Sequence, residues 1–206
     1  MITFNINGKE VQGQDGWTVL DVARSSGIDI PTLCHHSALE SSGACRLCMV
    51  EVSDGKRSRI VASCLYPIRE GIKVLTDSER VRNVRHWILQ MLVDEYPGSE
   101  RIRQLARSYG VRESRFRSSD VEDTCIRCGL CVRACDEVAG LRAISFSNRG
   151  VRKKVTTAFQ LPSEECVGCG SCLYVCPTES MERLFAKVRE MPKGHSGVTA
   201  PERRVP

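Results

Sequence analysis

One spacing of cysteines occurs twice in this chain and constrains its fold more than any other feature of the sequence. The first copy reads CIRCGLCVRAC over residues 125–135, and the second reads CVGCGSCLYVC over residues 166–176. The cysteines stand at the same four offsets in both copies, and a glycine follows the second cysteine of each. Residues 120–187 therefore contain an internal duplication, in which a cysteine-free insert over residues 136–165 joins two similar cysteine runs.

The spacing of each run is the one by which bacterial ferredoxins bind two [4Fe–4S] clusters. In that arrangement, three cysteines bind three corners of one cluster, and the fourth binds the cluster of the other run. We expect this fourth cysteine at the start of the following helical segment, pointing away from its own loop. The predicted ligands of the first [4Fe–4S] cluster are Cys125, Cys128, Cys131 and Cys176, and those of the second are Cys166, Cys169, Cys172 and Cys135.

Zinc and disulfides are the alternatives for these cysteines. Structural zinc sites usually take two CxxC pairs separated by a longer loop, whereas each run here places three cysteines within seven residues. The chain begins with an alternating pattern instead of a basic and apolar leader, and no apolar run approaches the ~20 residues that cross a bilayer. We therefore expect a cytoplasmic protein without a transmembrane segment, in which thiols stay reduced and cysteine clusters bind metal.

The other four cysteines, Cys34, Cys45, Cys48 and Cys64, predict a third metal site. Small residues at 41–44 precede the second of them, and their backbone N–H groups can approach an inorganic cluster closely. A loop of this kind on a β-grasp fold is typical of plant-type [2Fe–2S] sites. The first gap is ten residues instead of the four in plant-type ferredoxins. The spacing alone therefore favours [2Fe–2S] and leaves zinc or another cluster open.

The pattern of residues 1–76 predicts an α+β domain of the β-grasp type. Residues 2–11 form a predicted hairpin around Asn7-Gly8, which is a strong turn signal between alternating segments. Thr18 is the predicted N-cap of a helix that runs through Ala23. Three further predicted strands cover residues 49–52, 60–62 and 72–75.

Residues 77–119 form a predicted helical spacer, with one helix capped by Asp77 or Ser78 and a second helix that starts from Ser99. The spacer contains nine arginines and no lysine. A solvated helix face is the favoured interpretation, and a docking surface is the alternative, because arginine is enriched at interfaces. The tail over residues 188–206 is rich in proline, glycine and charge, so we expect it to be mobile unless a partner orders it.

The order of these features resembles the N-terminal iron–sulfur region of the large complex I subunit. A C-x10-C-x2-C-x15-C pattern is followed by arginine-rich helices and then by the doubled CxxCxxCxxxC run, over about residues 1–186. The same order is similar to the small iron–sulfur subunit of NAD-reducing hydrogenase diaphorases, and to N-terminal segments of iron-only hydrogenases and NAD-linked formate dehydrogenases. The resemblance implies one [2Fe–2S] cluster on the first four cysteines and two [4Fe–4S] clusters on the last eight.

One cluster found in many members of that family has no matching ligands here. It is a further [4Fe–4S] cluster, bound by three cysteines and by one histidine in an Asn-His-Pro-like stretch. The comparable stretch of this chain is residues 94–99, with Tyr96 in place of the histidine, and no cysteine occurs between Cys64 and Cys125. We therefore expect the histidine-ligated cluster to be absent.

Three histidines lie near the predicted sites or in the spacer. His35 and His36 directly follow Cys34, and histidine replaces cysteine on one iron of Rieske centres. Because four cysteines are present, we expect both histidines to lie beside the cluster or on the surface instead. His86 is the single histidine of the spacer, and its helical context predicts a packed or surface residue.

No residues for substrate chemistry stand out in the sequence. It has no G-x-G-x-x-G after a strand, no P-loop and no nucleophile–base pair. We therefore expect no flavin, NAD or zinc on this chain and no catalytic site of its own. The formal net charge of +5 does not indicate nucleic-acid binding, because a cluster with four thiolates carries roughly −2 when oxidised.

The leading hypothesis is an electron-transfer subunit of a cytoplasmic, multisubunit NAD(P)-linked oxidoreductase of the hydrogenase, formate dehydrogenase or flavin-based bifurcating type. The resemblance implies two partners, a flavin subunit that binds NAD(P) and a catalytic redox subunit or ferredoxin, between which this chain relays single electrons. A free-standing polyferredoxin carrier is the alternative. A zinc-dependent interaction module without redox function is a third hypothesis.

Overall fold

The computed structural model describes residues 1–112, 123–160, 163–178 and 180–182. Its N-terminal part is a mixed five-stranded sheet that shares a core with one short helix. The strands are β1 (Ile2–Ile6), β2 (Lys9–Gly13), β3 (Met49–Ser53), β4 (Ser58–Ala62) and β5 (Lys73–Leu75), and the helix is α1 (Val19–Ser25). The strand order is β2-β1-β5-β3-β4, with β1 parallel to β5 and the other pairs antiparallel. This is the predicted β-grasp arrangement, and the predicted α+β fold class is confirmed.

The start of α1 is set by a pair of reciprocal hydrogen bonds. The Thr18 hydroxyl accepts a hydrogen bond from the N–H of Asp21 at 3.3 Å, and the Asp21 carboxylate accepts one from the N–H of Thr18 at 2.9 Å. Such a capping box satisfies N–H groups that the first turn of a helix leaves free. Leu20 and Val22 of α1 are then fully buried. Gly13 permits this close packing, because a Cβ at that position would lie 2.5 Å from Val22.

Two helices, α2 (Glu79–Glu95) and α3 (Glu100–Ser108), follow the sheet as predicted. The side-chain oxygens of Ser78 and Ser99 cap them by accepting hydrogen bonds from N–H groups in the first turn. Their apolar faces pack on the N-terminal cysteine loop in a second core, whose fully buried members are Leu47, Leu89 and Ile102. Within the described ranges, no helix is both long enough and apolar enough to cross a membrane.

The arginines of these helices divide into surface residues and one buried residue. Arg80 is exposed and pairs with Glu51 at 2.8 Å, as expected for a solvated helix face. Arg85 is only 3% exposed, so that interpretation is wrong for this residue, whose guanidinium donates hydrogen bonds to main-chain carbonyls. Residues 113–119 of the predicted spacer and the predicted tail over residues 188–206 lie outside the described residues.

The C-terminal part consists of short elements around the remaining cysteines. They are α4 (Leu130–Arg133), a π-helical turn (Ala134–Val138), β6 (Ser145–Ser147), β7 (Lys154–Thr156) and α5 (Ser171–Tyr174), with 3₁₀ turns at Gly150–Arg152 and Ala158–Gln160. Strands β6 and β7 form an antiparallel hairpin, which was not predicted from the sequence. Phe146 of β6 lies against Gly129, where a Cβ would be 3.2 Å from the ring. The hairpin therefore packs against the first cysteine run at Gly129.

Helices α4 and α5 each begin directly after a glycine in the left-handed conformation. The φ angles of these residues are 78° for Gly129 and 77° for Gly170, a region that glycine enters without steric cost. The third cysteine of each run is therefore the second residue of the helix. The fourth cysteine comes later, as Cys135 in the π-helical turn and Cys176 beyond the end of α5. The expectation that the fourth cysteine lies at the start of the following helical segment is wrong for Cys176, which follows α5, whereas Cys135 is the second residue of the π-helical turn.

Candidate metal centres

The four N-terminal cysteines meet at one end of the sheet. Cys48 directly precedes β3 and Cys64 closely follows β4, and because these strands are antiparallel the two Sγ atoms lie 3.4 Å apart. Cys34 and Cys45 lie in the loop between α1 and β3, where the N–H of Cys45 donates to the Sγ of Cys34 at 3.3 Å. Cys34, Cys48 and Cys64 are each 1% exposed. The structure thus brings the predicted ligands of the N-terminal site together in a buried position.

Hydrogen bonds between these thiols divide them into two pairs. A hydrogen bond from Cys45 lowers the pKa of Cys34 to about 5, and one from Cys64 lowers the pKa of Cys48 to about 6. The pKa values of Cys45 and Cys64 are raised, first by these same hydrogen bonds and then by burial. The charges of Cys34 and Cys45 also raise the pKa of Cys64. The two pairs are therefore close neighbours.

This arrangement fits a metal centre held by four thiolates. Thiolate is the form of cysteine that binds iron, and metal binding releases the protons that the thiols still share. The N–H of Cys45 already donates to a sulfur atom, as the loops around iron–sulfur clusters do. Gly43 has a φ of 63°, and a Cβ there would collide with Leu65. The small-residue loop therefore needs glycine at this position to reach its conformation.

The first cysteine run lies close to Cys176 of the second run. Burial, followed by the charges of nearby thiolates that include Cys125 and Cys176, raises the pKa of Cys131 to about 12. Burial and the charges of the same two cysteines raise the pKa of Cys128 to about 11. Because charge effects of this kind weaken with distance, Cys176 is a neighbour of the first run in space although it belongs to the second in sequence.

The second cysteine run lies close to Cys135 of the first. Burial, followed by the charges of Cys166, Cys169 and Cys135, raises the pKa of Cys172 to about 11. Cys169 differs from the other eleven cysteines because it alone is exposed, and its hydrogen bond with Ser171 lowers its pKa. Each run is thus approached by the fourth cysteine of the other run.

The cysteine groups differ from a site for a single metal ion. In the ranges that the structure describes, no three cysteine, histidine or carboxylate side chains meet where they could hold a single metal ion. The ligands of an iron–sulfur cluster bind different irons of the cluster and therefore stand apart around it. The donor type and the grouping of the eight C-terminal thiols fit two [4Fe–4S] clusters.

A junction between residues 34–40 and the first cysteine run connects the two parts of the protein. Arg133 donates hydrogen bonds to the main-chain oxygen of Cys34, at 2.8 Å, and to that of Glu40. The Glu137 carboxylate accepts a hydrogen bond from the N–H of Glu40 at 2.8 Å. The charge of Cys34 also raises the pKa of Cys128. The N-terminal site and the first run are therefore adjacent sites.

Apolar and aromatic contacts complete this junction. Leu39 packs with Leu130 and Ala134 in a small buried cluster. The ring of His36 meets that of Tyr174 edge to face, with ring centroids 6.0 Å apart. Because Tyr174 belongs to α5, the N-terminal loop contacts elements of both cysteine runs.

A second connection joins the first run to the end of α2. Arg127 pairs with Glu95 at 2.8 Å and with Asp123 at 3.2 Å, and its guanidinium lies 5.2 Å from the centroid of the Tyr96 ring. Burial raises the pKa of Tyr96 to about 12, so its hydroxyl stays protonated near neutral pH. Tyr96 therefore contributes a neutral ring, against which the guanidinium of Arg127 packs.

The histidines in the described part of the chain lie outside the thiol groups. His35 forms a hydrogen bond with the Ser41 hydroxyl at 3.0 Å, and burial lowers its pKa. It therefore lies beside the cysteine loop, as expected. His86 is exposed on α2 next to Trp87, which confirms its prediction as a packed or surface residue.

Two arginines at these sites were not predicted as site residues. Arg133 stands between the third and fourth cysteines of the first run, but a position in the run gives no sign of its partner. Arg85 lies one helical turn from Val81 and from Leu89, which are both fully buried. This helical spacing places Arg85 on the same face as two buried residues, so its burial was predictable from the sequence.

Two family models match the chain. Residues 1–79 match the model of a 2Fe-2S iron-sulfur cluster binding domain, and residues 120–183 match that of a 4Fe-4S dicluster domain. The first match contains the four N-terminal cysteines, and the second contains the other eight. Each match therefore covers one of the cysteine groups described above.

Curated relatives align with most of this chain. The NADP-reducing hydrogenase subunit HndD of Solidesulfovibrio fructosivorans is 33% identical over 88% of it. The NADPH-Fe(3+) oxidoreductase subunit alpha of Geobacter sulfurreducens is 32% identical over 93%, and an NADH-quinone oxidoreductase subunit of Rhizobium meliloti is 31% identical over 88%. The chain spans 36%, 25% and 24% of the lengths of these three relatives.

A solved structure extends the similarity to three dimensions. A chain of an NAD+-reducing [NiFe]-hydrogenase in the H2-reduced state superposes with a TM-score of 0.65 and is 32% identical in sequence. The match covers 76% of this chain and 74% of that chain. The protein therefore belongs to the family of iron–sulfur proteins that join a 2Fe–2S domain to a 4Fe–4S dicluster domain, with relatives in NAD(P)-linked hydrogenases and NADH-quinone oxidoreductase.

Proposed function

We propose that this chain relays single electrons between a flavin subunit that binds NAD(P) and a catalytic redox subunit or ferredoxin, within one cytoplasmic oxidoreductase. The relatives support this proposal, because their names describe a hydrogenase, an NADPH-Fe(3+) oxidoreductase and an NADH-quinone oxidoreductase. The observation that carries it is the junction, where Arg133 of the first run bonds to the main-chain oxygen of Cys34 at 2.8 Å. Sites in such contact suit electron transfer, because tunnelling between redox centres slows steeply with distance.

The proposed cofactors are one [2Fe–2S] and two [4Fe–4S] clusters. Iron–sulfur clusters of these types accept and donate electrons one at a time. The mutual effects of the thiols on their pKa values support a ligand set for each cluster. The sets are Cys34, Cys45, Cys48 and Cys64 for [2Fe–2S], Cys125, Cys128, Cys131 and Cys176 for the first [4Fe–4S], and Cys166, Cys169, Cys172 and Cys135 for the second.

We propose that a redox partner docks beside the second [4Fe–4S] site, and that the β-grasp end faces the other partner. Cys169 is exposed there. Val167 is 66% exposed and Tyr174 is 82% exposed on the same cysteine run. Exposed apolar residues around a redox site favour the docking of a partner protein.

Anaerobic purification of the native complex tests the proposal. Metal analysis should give about ten irons per chain, as expected for one [2Fe–2S] and two [4Fe–4S] clusters. Native mass spectrometry should find a flavoprotein in the same complex. Elution of the loaded chain alone, near 22.9 kDa, would favour the free-standing polyferredoxin carrier. Stoichiometric zinc without iron would exclude both redox hypotheses and favour the zinc module.

A further inference from the structure

Arg85 is unlike the other arginines near the start of α2. The side chains of Arg80 and Arg82 are 58% and 57% exposed, and they pair with Glu51 and Asp77. Arg85 is 3% exposed, and in the described part of the chain no carboxylate forms an ion pair with it. It is therefore a buried cation whose hydrogen-bond partners among the described residues are neutral carbonyls.

The partners of Arg85 lie on either side of Cys48. Its Nε donates to the main-chain oxygen of Leu47 at 3.2 Å, and its Nη2 donates to that of Met49 at 2.8 Å. The main-chain oxygen of Cys48 itself accepts from the N–H of Ser63 at 3.1 Å and from its hydroxyl at 2.8 Å. Three consecutive carbonyls are thus held in place, and the segment that carries the Cys48 thiol is fixed.

A buried guanidinium without an anion is costly, because neutral carbonyls replace its lost hydration only in part. A [2Fe–2S] cluster with four thiolates carries roughly −2 when oxidised and gains one further negative charge on reduction. Such an anion beside Cys48 would balance the charge of Arg85. The balance would favour the reduced cluster more than the oxidised one, because the reduced cluster is the more negative.

We propose that Arg85 is the countercharge of the [2Fe–2S] cluster and raises its reduction potential, a role that rests on the proposed function of the N-terminal site. Arg85 acts here as a positioning and tuning residue and binds no iron. Its charge and its two hydrogen bonds make separate contributions. The charge shifts the potential, and the hydrogen bonds hold the ligand segment.

Redox titration of the complete protein, followed by the EPR signal of the reduced [2Fe–2S] cluster, separates these contributions. R85Q and R85M remove the charge, R85K keeps it, and R80Q removes an exposed charge from the same helix as a matched control. We expect the midpoint potential to shift to more negative values in R85Q and R85M. It should stay near the unmodified value in R85K and R80Q, and the [4Fe–4S] signals should not move in any variant.

Several outcomes would overturn the proposal. Loaded R85Q and R85M with an unchanged potential would show that the charge does not act on the cluster. An equal shift in R85K would assign the effect to hydrogen bonding, and an equal shift in R80Q would assign it to general electrostatics.

If R85Q and R85M lose the [2Fe–2S] cluster, the cluster content of the three Arg85 variants tests the countercharge role instead of the potential. Loss in R85Q and R85M with retention in R85K supports the countercharge role. Loss in all three variants, with unchanged far-UV circular dichroism, overturns it in favour of a purely geometric role. A missing [2Fe–2S] signal in the unmodified protein would contradict the proposed function itself, and it is recognised before any variant is made.

Discussion

Arg133 donates a hydrogen bond of 2.8 Å to the main-chain oxygen of Cys34, although 99 residues separate the two in sequence. Arg133 lies between the last two cysteines of the first run, and Cys34 is the first cysteine of the N-terminal site. The same guanidinium also bonds to the main-chain oxygen of Glu40. One side chain thus holds the two cysteine loops against each other, at the point where the proposed electron path crosses between them.

Replacing this side chain should loosen the junction without removing any cluster. A hydrogen bond to a charged group contributes about 1.5–3 kcal/mol, so R133A should make amide exchange over residues 34–40 at least about tenfold faster. Electron transfer between the [2Fe–2S] and first [4Fe–4S] clusters should slow at unchanged iron content. Hydrogen–deuterium exchange and freeze-quench EPR measure the two effects.

Arg142 offers a matched control for this change. Its side chain is 80% exposed and pairs with Asp136 at 2.6 Å, close to Arg133 in sequence. R142A removes an equal charge from the same segment but breaks only a surface ion pair, which is worth little. If R133A and R142A behave alike, Arg133 does not hold the junction.

The capping box of α1 should contribute measurably to the stability of the N-terminal domain. T18A removes the hydroxyl that accepts the hydrogen bond from the N–H of Asp21, and loss of such a cap costs about 1 kcal/mol. We expect a lower thermal midpoint of the visible circular dichroism of the [2Fe–2S] cluster. T18S keeps the hydroxyl and should recover most of the loss. Equal stability of T18A and the unmodified protein would contradict a role for this cap.

The helix starts that the sequence predicted are fixed by neighbours in the chain. Thr18, Ser78 and Ser99 cap their helices through N–H groups three residues ahead, so a short stretch of sequence contains the whole interaction. The hairpin of β6 and β7 was missed because residues 145–147 contain one apolar residue between two serines. Such a segment carries no alternation long enough to indicate a strand.

The thiols of the site were predictable from the sequence, but the hydrogen-bond partners of its arginines were not. Cysteine spacing depends on local geometry, so the sequence alone suggested three groups of ligands. The bonds of Arg85 to Leu47 and Met49 span 38 and 36 residues, and that of Arg133 to Cys34 spans 99. The packing of α2 and α4 on the N-terminal loop determines which carbonyls these two arginines contact. No local pattern encodes that packing.

Charge placed beside the second [4Fe–4S] site should weaken docking of a redox partner. Val167 is 66% exposed next to the exposed Cys169, so V167D should leave the fold and the clusters intact. A carboxylate at an apolar interface must be desolvated, and we expect at least about tenfold weaker binding of the partner at this site. L75D puts the same charge on the N-terminal sheet, where Leu75 is 46% exposed, and should leave that affinity unchanged. Binding assays with the purified partner measure the affinities of V167D, L75D and the unmodified chain. Equal affinities for V167D and the unmodified chain would show that the partner docks elsewhere.

The proposed crossed ligand sets, which the cysteine spacing already predicts, can be tested by single substitutions. Cys135 stands in the same run as Cys131, yet its charge acts on Cys172 of the other run. Likewise, the charge of Cys176 acts on Cys131. We therefore expect C135S to lose the same cluster as C172S, and C176S to lose the same cluster as C131S.

Iron content and EPR spectra of these four variants test the pairing. Each variant should lose up to about four irons, and spectra should agree within the pairs C135S with C172S and C176S with C131S. Agreement of C135S with C131S instead would mean that each run holds its own cluster with all four of its cysteines. If every variant loses both [4Fe–4S] signals on purification, anaerobic reconstitution with iron and sulfide decides the pairing. Reconstituted C135S and C172S should then recover the same single [4Fe–4S] signal, and different signals would reject the crossed assignment.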